Sequence, residues 1–213
     1  MAQAATIARL LLEAEAVKLQ PAAPFTWASG LRSPIYCDNR VLLSYPGART
    51  TVADSLLGLA AQFSDVAAVA GVATAGIPHG ALLADRLGLP FIYIRAKAKG
   101  HGRQNQIEGR LEKGARYLVV EDLISTGGSS LKAIEALREA GGQVAGAVAI
   151  FTYSFPAAAE AFAAADVAIR TLSDYPTLLE EAARTGYIKA DTLATLQAWR
   201  EDPKAWSIAY QAR

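Results

Sequence analysis

The residues with the strongest chemical character stand together at 119–130, VVEDLISTGGSS. An apolar run ends in two adjacent carboxylates, Glu121 and Asp122, and Ser125, Thr126, Gly127, Gly128, Ser129 and Ser130 follow at once. Successive backbone N–H groups that lead into a helix N-terminus attract phosphate. Hydroxyls add donors, and glycines let a backbone come close to a ligand. Acids placed before such a cradle would repel the phosphate unless they serve another group. They could hold sugar hydroxyls, or a Mg²⁺ that bridges to phosphate. A phosphorylated sugar meets both demands. A nucleoside triphosphate loop would need a lysine after Gly128, and the dinucleotide pattern G-x-G-x-x-G is also missing. A plain strand–turn–helix junction with a Ser or Thr cap accounts for one hydroxyl. It leaves the acid pair unexplained.

A second concentration of chemistry is RAKAKGHGRQNQIEGR, 95–110. It sets Arg95, Lys97, Lys99, Arg103 and Arg110 against one acid, Glu108, with His101 in addition. Arg95, Lys97, Lys99, His101 and Arg103 occupy every second position, so an extended chain would align them on one face. Alone, such a run reads most simply as a solvated basic loop. Nucleic-acid contact and a lid closing on a polyanion are the competing readings. Beside a sugar-phosphate site the lid gains, because a pyrophosphate leaving group needs cations and exclusion of water.

The elements that must position these groups follow from the pattern. Apolar runs at 66–71, 90–95, 116–121 and 144–153 read as strands, with 166–172 a candidate fifth. Segments 77–88 and 128–142 read as helices between them, the second stopped by Gly141–Gly142. The strands are continuously apolar, which predicts a parallel sheet covered on both faces. In such sheets ligands bind beyond the carboxyl ends of the strands, where Glu121 and Asp122 would sit. The N-terminus reads as one amphipathic helix carrying Ile7, Leu10, Leu11, Ala14 and Val17. The Pro-, Ser- and aromatic-rich segment 21–40 and the tail after Ser173, read as short helices, are candidates for a small cap. His79, in the first turn of a helix, reads as structural.

Bulk properties narrow the class. The 213 residues suit one domain, and a net charge of +1 gives no basic field for nucleic acid. The lone Cys37 excludes an internal disulfide and fits a reducing compartment. No signal peptide and no apolar run of the ~20 residues a membrane span needs is evident. The expectation is a soluble cytoplasmic protein with no nucleic-acid or membrane partner.

VVEDLISTGGSS resembles the phosphoribosyl pyrophosphate (PRPP) motif of type I phosphoribosyltransferases. The resemblance implies an α/β fold, a central mainly parallel sheet flanked by helices. It also implies a small hood from the N-terminal segment, about 1–40, over a PRPP-binding core at about 50–172, with the C-terminal tail a further candidate for the hood. It implies that Glu121 and Asp122 contact the ribose hydroxyls and that Ser125, Thr126, Gly127, Gly128 and Ser129 hold the 5′-phosphate. Leu123 and Ile124 complete the PRPP-binding stretch. RAKAKGHGRQNQIEG is similar to the catalytic loop of orotate phosphoribosyltransferases. That implies pyrophosphate contacts from Arg95, Lys99 and His101, a loop shared across a homodimer, and catalytic roles for Lys99, His101 and Asp122. FTWASGLRSPIYCDNR, 25–40, is similar to the same family's base-side segment, implying that Tyr36 and Cys37, together with Ser125, shape the orotate pocket. Mg²⁺ is implied as a cofactor bound mainly through PRPP, with no ligand set of protein side chains assigned. Ala28, Thr74, Ala75 and Ala96 stand where some members carry other side chains, and an arginine that follows the fourth strand in some members has no counterpart near Thr152–Tyr153. A purine phosphoribosyltransferase and a PRPP-sensing nucleic-acid-binding regulator are the alternatives; the base-side segment opposes the first and the Lys99–His101 lid the second.

Overall fold

The structure, a computed structural model, describes residues 2–27, 29–96 and 106–212. Lys97, Lys99, His101 and Arg103 lie outside the described residues, as does Ala28. Five parallel strands form the centre: β5 (Ala68–Val72), β6 (Phe91–Ile94), β8 (Arg116–Ile124), β9 (Gln143–Thr152) and β10 (Ile169–Asp174). The order is β10-β9-β8-β5-β6-β7, and the short β7 (Ile107–Glu108) closes the edge antiparallel to β6. Parallel strands need crossovers, and helices supply them. Three of these are α3 (Gly76–Leu87) after β5, α4 (Gly128–Glu139) after β8 and α5 (Pro156–Ala164) after β9.

The sheet divides two cores. On one face Leu118 and Val120 of β8 pack with α1 (Ala2–Glu13), α2 (Pro46–Ala60), α3 and α6 (Tyr175–Arg184). On the other, Tyr117 and Val119 pack with Ala133, Ile134 and Leu137 of α4 and with Phe162 of α5. Alternate residues of one strand thus feed opposite cores, and both faces are covered, which is why the strand sequences lack a polar stripe.

Two readings of the sequence need correction. The first helix ends at Glu13; Glu15 takes a left-handed φ of 54°, and Val17 opens β1 (Val17–Leu19). β1 pairs antiparallel with β4 (Ile35–Cys37), Val17 opposite Cys37, so Val17 serves a ladder that sequence periodicity does not reveal. The strand read as ending at Glu121 runs on to Ile124, because its ladder with β9 continues through Glu121–Ala149, Leu123–Phe151 and Ile124–Thr152. The acid pair therefore lies within the last turn of the pleat rather than beyond it. Two helices were not anticipated, α2 and α5, each with proline in its first turn.

The N-terminal and C-terminal segments meet above the sheet. β2 (Phe25–Thr26) and β3 (Arg32–Ser33) form a hairpin, and the Arg32 N–H donates to Ser207 Oγ at 2.9 Å. Ser207 belongs to α8 (Pro203–Gln211), whose Tyr210 hydroxyl donates to the Ala22 carbonyl at 3.1 Å. Trp27 stacks on Tyr153 at 5.5 Å and meets Trp199 of α7 (Leu193–Glu201) edge-on at 5.6 Å.

His79 lies in the first turns of α3 with 1 % of its surface exposed, and neither ring nitrogen has a partner within hydrogen-bonding distance. Burial holds its pKa down to about 4, against a weaker upward pull from the Asn39 backbone. The unfolded chain, with a histidine near ~6.5, takes up a proton before the folded chain does. Stability from this group is therefore complete above ~6.5 and is lost as pH falls toward 4, by roughly 2–3 kcal/mol. Denaturant unfolding at pH 7 and pH 4.5 tests this. Wild type should lose that much more stability over the interval than His79→Leu does; equal losses would show that His79 titrates as an exposed histidine.

Candidate functional site

The site is built at the carboxyl end of β8. Glu121 is 6 % exposed, yet both carboxyl oxygens are engaged. Oε1 accepts from the Asp122 N–H at 3.1 Å, and Oε2 accepts from the Ser130 hydroxyl of α4 at 3.0 Å. The acid is thereby tied to the helix that the glycine loop opens. Burial and the neighbouring Asp122 carboxylate push the Glu121 pKa well up. Burial raises Asp122 as well, but hydrogen bonds from its surroundings hold it back. Both carboxyls are thus pushed above the ordinary carboxylate range, chiefly by burial.

Asp122 is also fixed from the other side. Asn39 is fully buried, and its Nδ2 donates to the Asp122 carbonyl at 2.8 Å. Its Oδ1 accepts from Cys37 Sγ at 3.5 Å, so the base-side segment and the acid pair share one bridging side chain. Burial, then the Asp122 and Asp38 carboxylates, push the Cys37 thiol up, which keeps it protonated and unsuited to nucleophilic work. Tyr36 is 42 % exposed on β4, its ring 5.5 Å from Phe25.

The loop after β8 has two glycines with different duties. Gly127 has φ +80° and stands before α4, and a Cβ on it would lie 2.8 Å from the Phe162 ring. Only glycine fits that left-handed position without displacing the core. On Gly128 a Cβ would meet nothing nearer than Thr126 Oγ1 at 3.9 Å. Its neighbourhood is open on the side where the first N–H groups of α4, which have no carbonyl one turn earlier, can receive an anion. Thr126, Gly128 and Ser129 are exposed and Ser125 is half-buried. Leu123 and Ile124 pack into the two opposite cores, so their contribution to a ligand can only be main chain.

Arg95 stands at the end of β6, with β5 between it and β8. Its N–H donates to the Gln106 carbonyl at 2.8 Å, and its guanidinium reaches Glu108 at 3.3 Å. The β6–β7 hairpin is thus closed at its stem. The turn between β5 and α3 approaches the same end of the sheet; a Cβ on Gly76 would collide with the Val120 carbonyl, so glycine lets α3 start directly against β8. Among the described residues no three His, Cys, Asp or Glu side chains converge as a metal cage.

A cavity of about 320 Å³ lies between the loop and the C-terminal helices, walled by Trp27, Ser125, Thr126, Phe155 and Arg200. Sequence reasoning missed Asn39, Ser130 and Arg200 as members of the site. Asn39 and Ser130 were within quoted motifs, but only the fold shows that they grip Asp122 and Glu121. No local signal marks Arg200, which lies 75 positions after Ser125 in the numbering.

Comparison with known proteins decides the family. Residues 51–167 match the phosphoribosyl transferase domain family. The chain is 56 % identical over 200 residues to an orotate phosphoribosyltransferase of Bacteroides thetaiotaomicron, covering 93 % of this chain and 94 % of the relative. The chain belongs to the orotate phosphoribosyltransferases. An orotate phosphoribosyltransferase of Streptococcus gordonii is 53 % identical over 98 % of this chain and 100 % of its own. The crystal structure of orotate phosphoribosyltransferase from Aeropyrum pernix is similar with a TM-score of 0.75 and 36 % identity, covering 86 % of this chain and 99 % of that one. The α/β fold with its central, mostly parallel sheet is the fold of these relatives. No described helix is long and apolar enough to cross a membrane.

The open space at Gly128 leads to a prediction. Gly128→Val should leave thermal unfolding within about 1 kcal/mol of wild type, the β-branched residue costing only helix propensity. It should weaken PRPP and the nucleotide product together, by at least about tenfold, since each relies on close approach to the loop. Calorimetric titration with each ligand checks this, and unchanged affinity for both would place the phosphate elsewhere.

Proposed function

We propose that the chain transfers the phosphoribosyl group of PRPP to orotate, giving orotidine 5′-monophosphate and pyrophosphate, a step of pyrimidine biosynthesis. The observation that carries this reading is the acid pair Glu121–Asp122, the first a buried carboxyl held by Ser130 and the second half-buried with its main chain held by Asn39, directly before a glycine loop that opens α4. Adjacent acids so placed suit sugar hydroxyls, and the loop suits the sugar's phosphate.

The bond from the anomeric carbon to the pyrophosphate oxygen breaks, its electron pair leaving with pyrophosphate, and a bond from that carbon to the base nitrogen forms as the nitrogen's proton passes to pyrophosphate or solvent. In an oxocarbenium-like transition state positive charge builds on the ribose. Asp122 would face that charge, and the donors of Ser125, Thr126 and Ser129 with the Gly127–Gly128 backbone would hold the 5′-phosphate. Catalysis is then mainly positioning and electrostatics. Tyr36 and Cys37 belong to the base side, tied to Asp122 through Asn39. Arg95, Lys99 and His101 are proposed for the departing pyrophosphate.

Mg²⁺ would neutralise pyrophosphate charge when bound. The acid pair at the loop offers hard oxygen donors, and among the described residues no third acid, His or Cys joins it, which fits a cation brought in by the substrate's phosphates better than a cage made of protein. The proposal includes a homodimer whose basic loop serves the neighbouring site, a hood mainly from about 1–40 and a PRPP-binding core at about 50–172. The single thiol, Cys37, supports a cytoplasmic setting.

Protein, Mg²⁺ and PRPP mixed separately with orotate, uracil, hypoxanthine and adenine test the reading. Pyrophosphate release with orotate alone is expected. Release with a purine in its place would refute it.

A further inference from the structure

We infer that Arg200, on the C-terminal helix α7, recognises the carboxylate of the base. The inference rests on the substrate proposed above and assigns one of its specificity contacts. A flat base with a carboxylate needs two things from a pocket: apolar walls for the ring and a cation at its rim. The cavity beside the phosphate loop has both. Trp27 and Phe155 provide flat walls, and Ser125 places the cavity against the loop that follows the acid pair.

Four charged side chains border this cavity: Arg200, Glu201, Asp202 and Lys204. Asp202 is occupied as the cap of α8, its Oδ1 accepting from the Ala205 N–H at 2.8 Å. Glu201 and Lys204 are exposed and therefore largely screened. Arg200 is the partly buried one, and among the described residues no ion pair or hydrogen bond engages its guanidinium. Arg200 also borders the neighbouring cavity between α6 and α7, which Tyr175 and Glu180 line.

Its placement is rigid for a reason legible in the packing. The preceding residue, Trp199, is completely buried, with its ring centroid 5.3–5.6 Å from those of Trp27, Tyr153, Phe155 and Tyr175. Tyr175 further donates its hydroxyl to the Leu196 carbonyl at 3.1 Å. An aromatic anchor one residue away fixes the Arg200 backbone against the hood and the β9–α5 connection. A planar guanidinium so held matches a carboxylate with two parallel hydrogen bonds. A lysine there could supply charge but not that geometry.

The test compares orotate with its carboxamide, which keeps the ring and loses the charge, in wild type, Arg200→Gln and Arg200→Lys. For Arg200→Gln the orotate KM should rise about 10- to 100-fold, the loss of one charge-assisted contact. The inhibition constant of the carboxamide and the calorimetric affinity for PRPP should each stay within about twofold, since neither depends on that charge. Arg200→Lys should recover part of the orotate KM and serves as well if the Gln variant folds poorly. An orotate KM near wild type in Arg200→Gln, or equal weakening of orotate and carboxamide, would overturn the inference while leaving the proposed function intact. Wild type inactive with orotate would instead overturn the proposed function and this assignment with it.

Discussion

Asp122→Asn folds normally and loses turnover with PRPP by about 100-fold, the scale expected when one group that stabilises transition-state charge is removed. Asparagine keeps the shape of the side chain, and the Asp122 carbonyl remains available to Asn39. What disappears is the charge. Its value is greatest when positive charge develops on the ribose, so kcat should fall along with apparent affinity. Stability should move the opposite way. The folded state raises the Asp122 pKa by burial, so below that pKa the folded chain binds more protons than the unfolded one. Folding stability from this group therefore declines as pH rises above the unfolded carboxyl's ~4, and the ionised side chain is a net cost at neutral pH. Asparagine removes that cost, and thermal unfolding at pH 8 should show a Tm equal to or above wild type. Steady-state kinetics with varied PRPP, run beside the melt, separates the two effects. Near-normal turnover in the folded variant would remove Asp122 from the sugar site.

Mixing Lys99→Ala with Asp122→Asn should restore activity that neither homodimer has, up to about one quarter of wild type for random pairing and independent sites. In a mixed dimer one site receives both lesions, while the other joins an intact sugar site to the intact loop of its neighbour. Three features motivate the expectation: the resemblance of the basic segment to a shared loop, its charge in a nearly neutral chain, and the position of its stem. The stem at Arg95 and Gln106 rises between β6 and the edge strand β7. β7 is three strand spacings from β8, roughly 14 Å at ~4.8 Å each. A stem on the sheet edge is well placed to serve a neighbouring chain. A loop acting within its own chain would leave every mixed-dimer site with one lesion and no recovery. Mass spectrometry confirms heterodimers, and their presence without activity would reject the shared site while leaving the chemistry of the acid pair untouched.

The sequence by itself determined the sheet and the local order of its acids, hydroxyls and glycines. Continuous apolar runs specify buried parallel strands, since a strand covered on both faces has no solvent-facing residues to alternate. The five strands and α3 and α4 overlap those runs, with ends shifted by up to three residues. The order of acids, hydroxyls and glycines in 121–130 is likewise local, because a strand end, a tight turn and a helix start are made by consecutive residues. Only the tertiary structure decided what surrounds that segment. Val17 follows a helical pattern through Ala14, yet its backbone pairs with Cys37, a partner 20 positions away. β8 outruns its apolar stretch because β9 continues to hydrogen-bond it past Glu121, and the buried acid is satisfied by Ser130. α2 and α5 escaped notice because their apolar residues are small or spread around the helix, and burial against the sheet, more than their own periodicity, holds them. Asn39, Trp27 and Arg200 come from opposite ends of the chain. Hydrogen bonds and ring contacts between distant segments carry no signature in local spacing, so the grip on Asp122 and the cationic rim of the cavity exist only once the hood and the C-terminal helices close over the sheet.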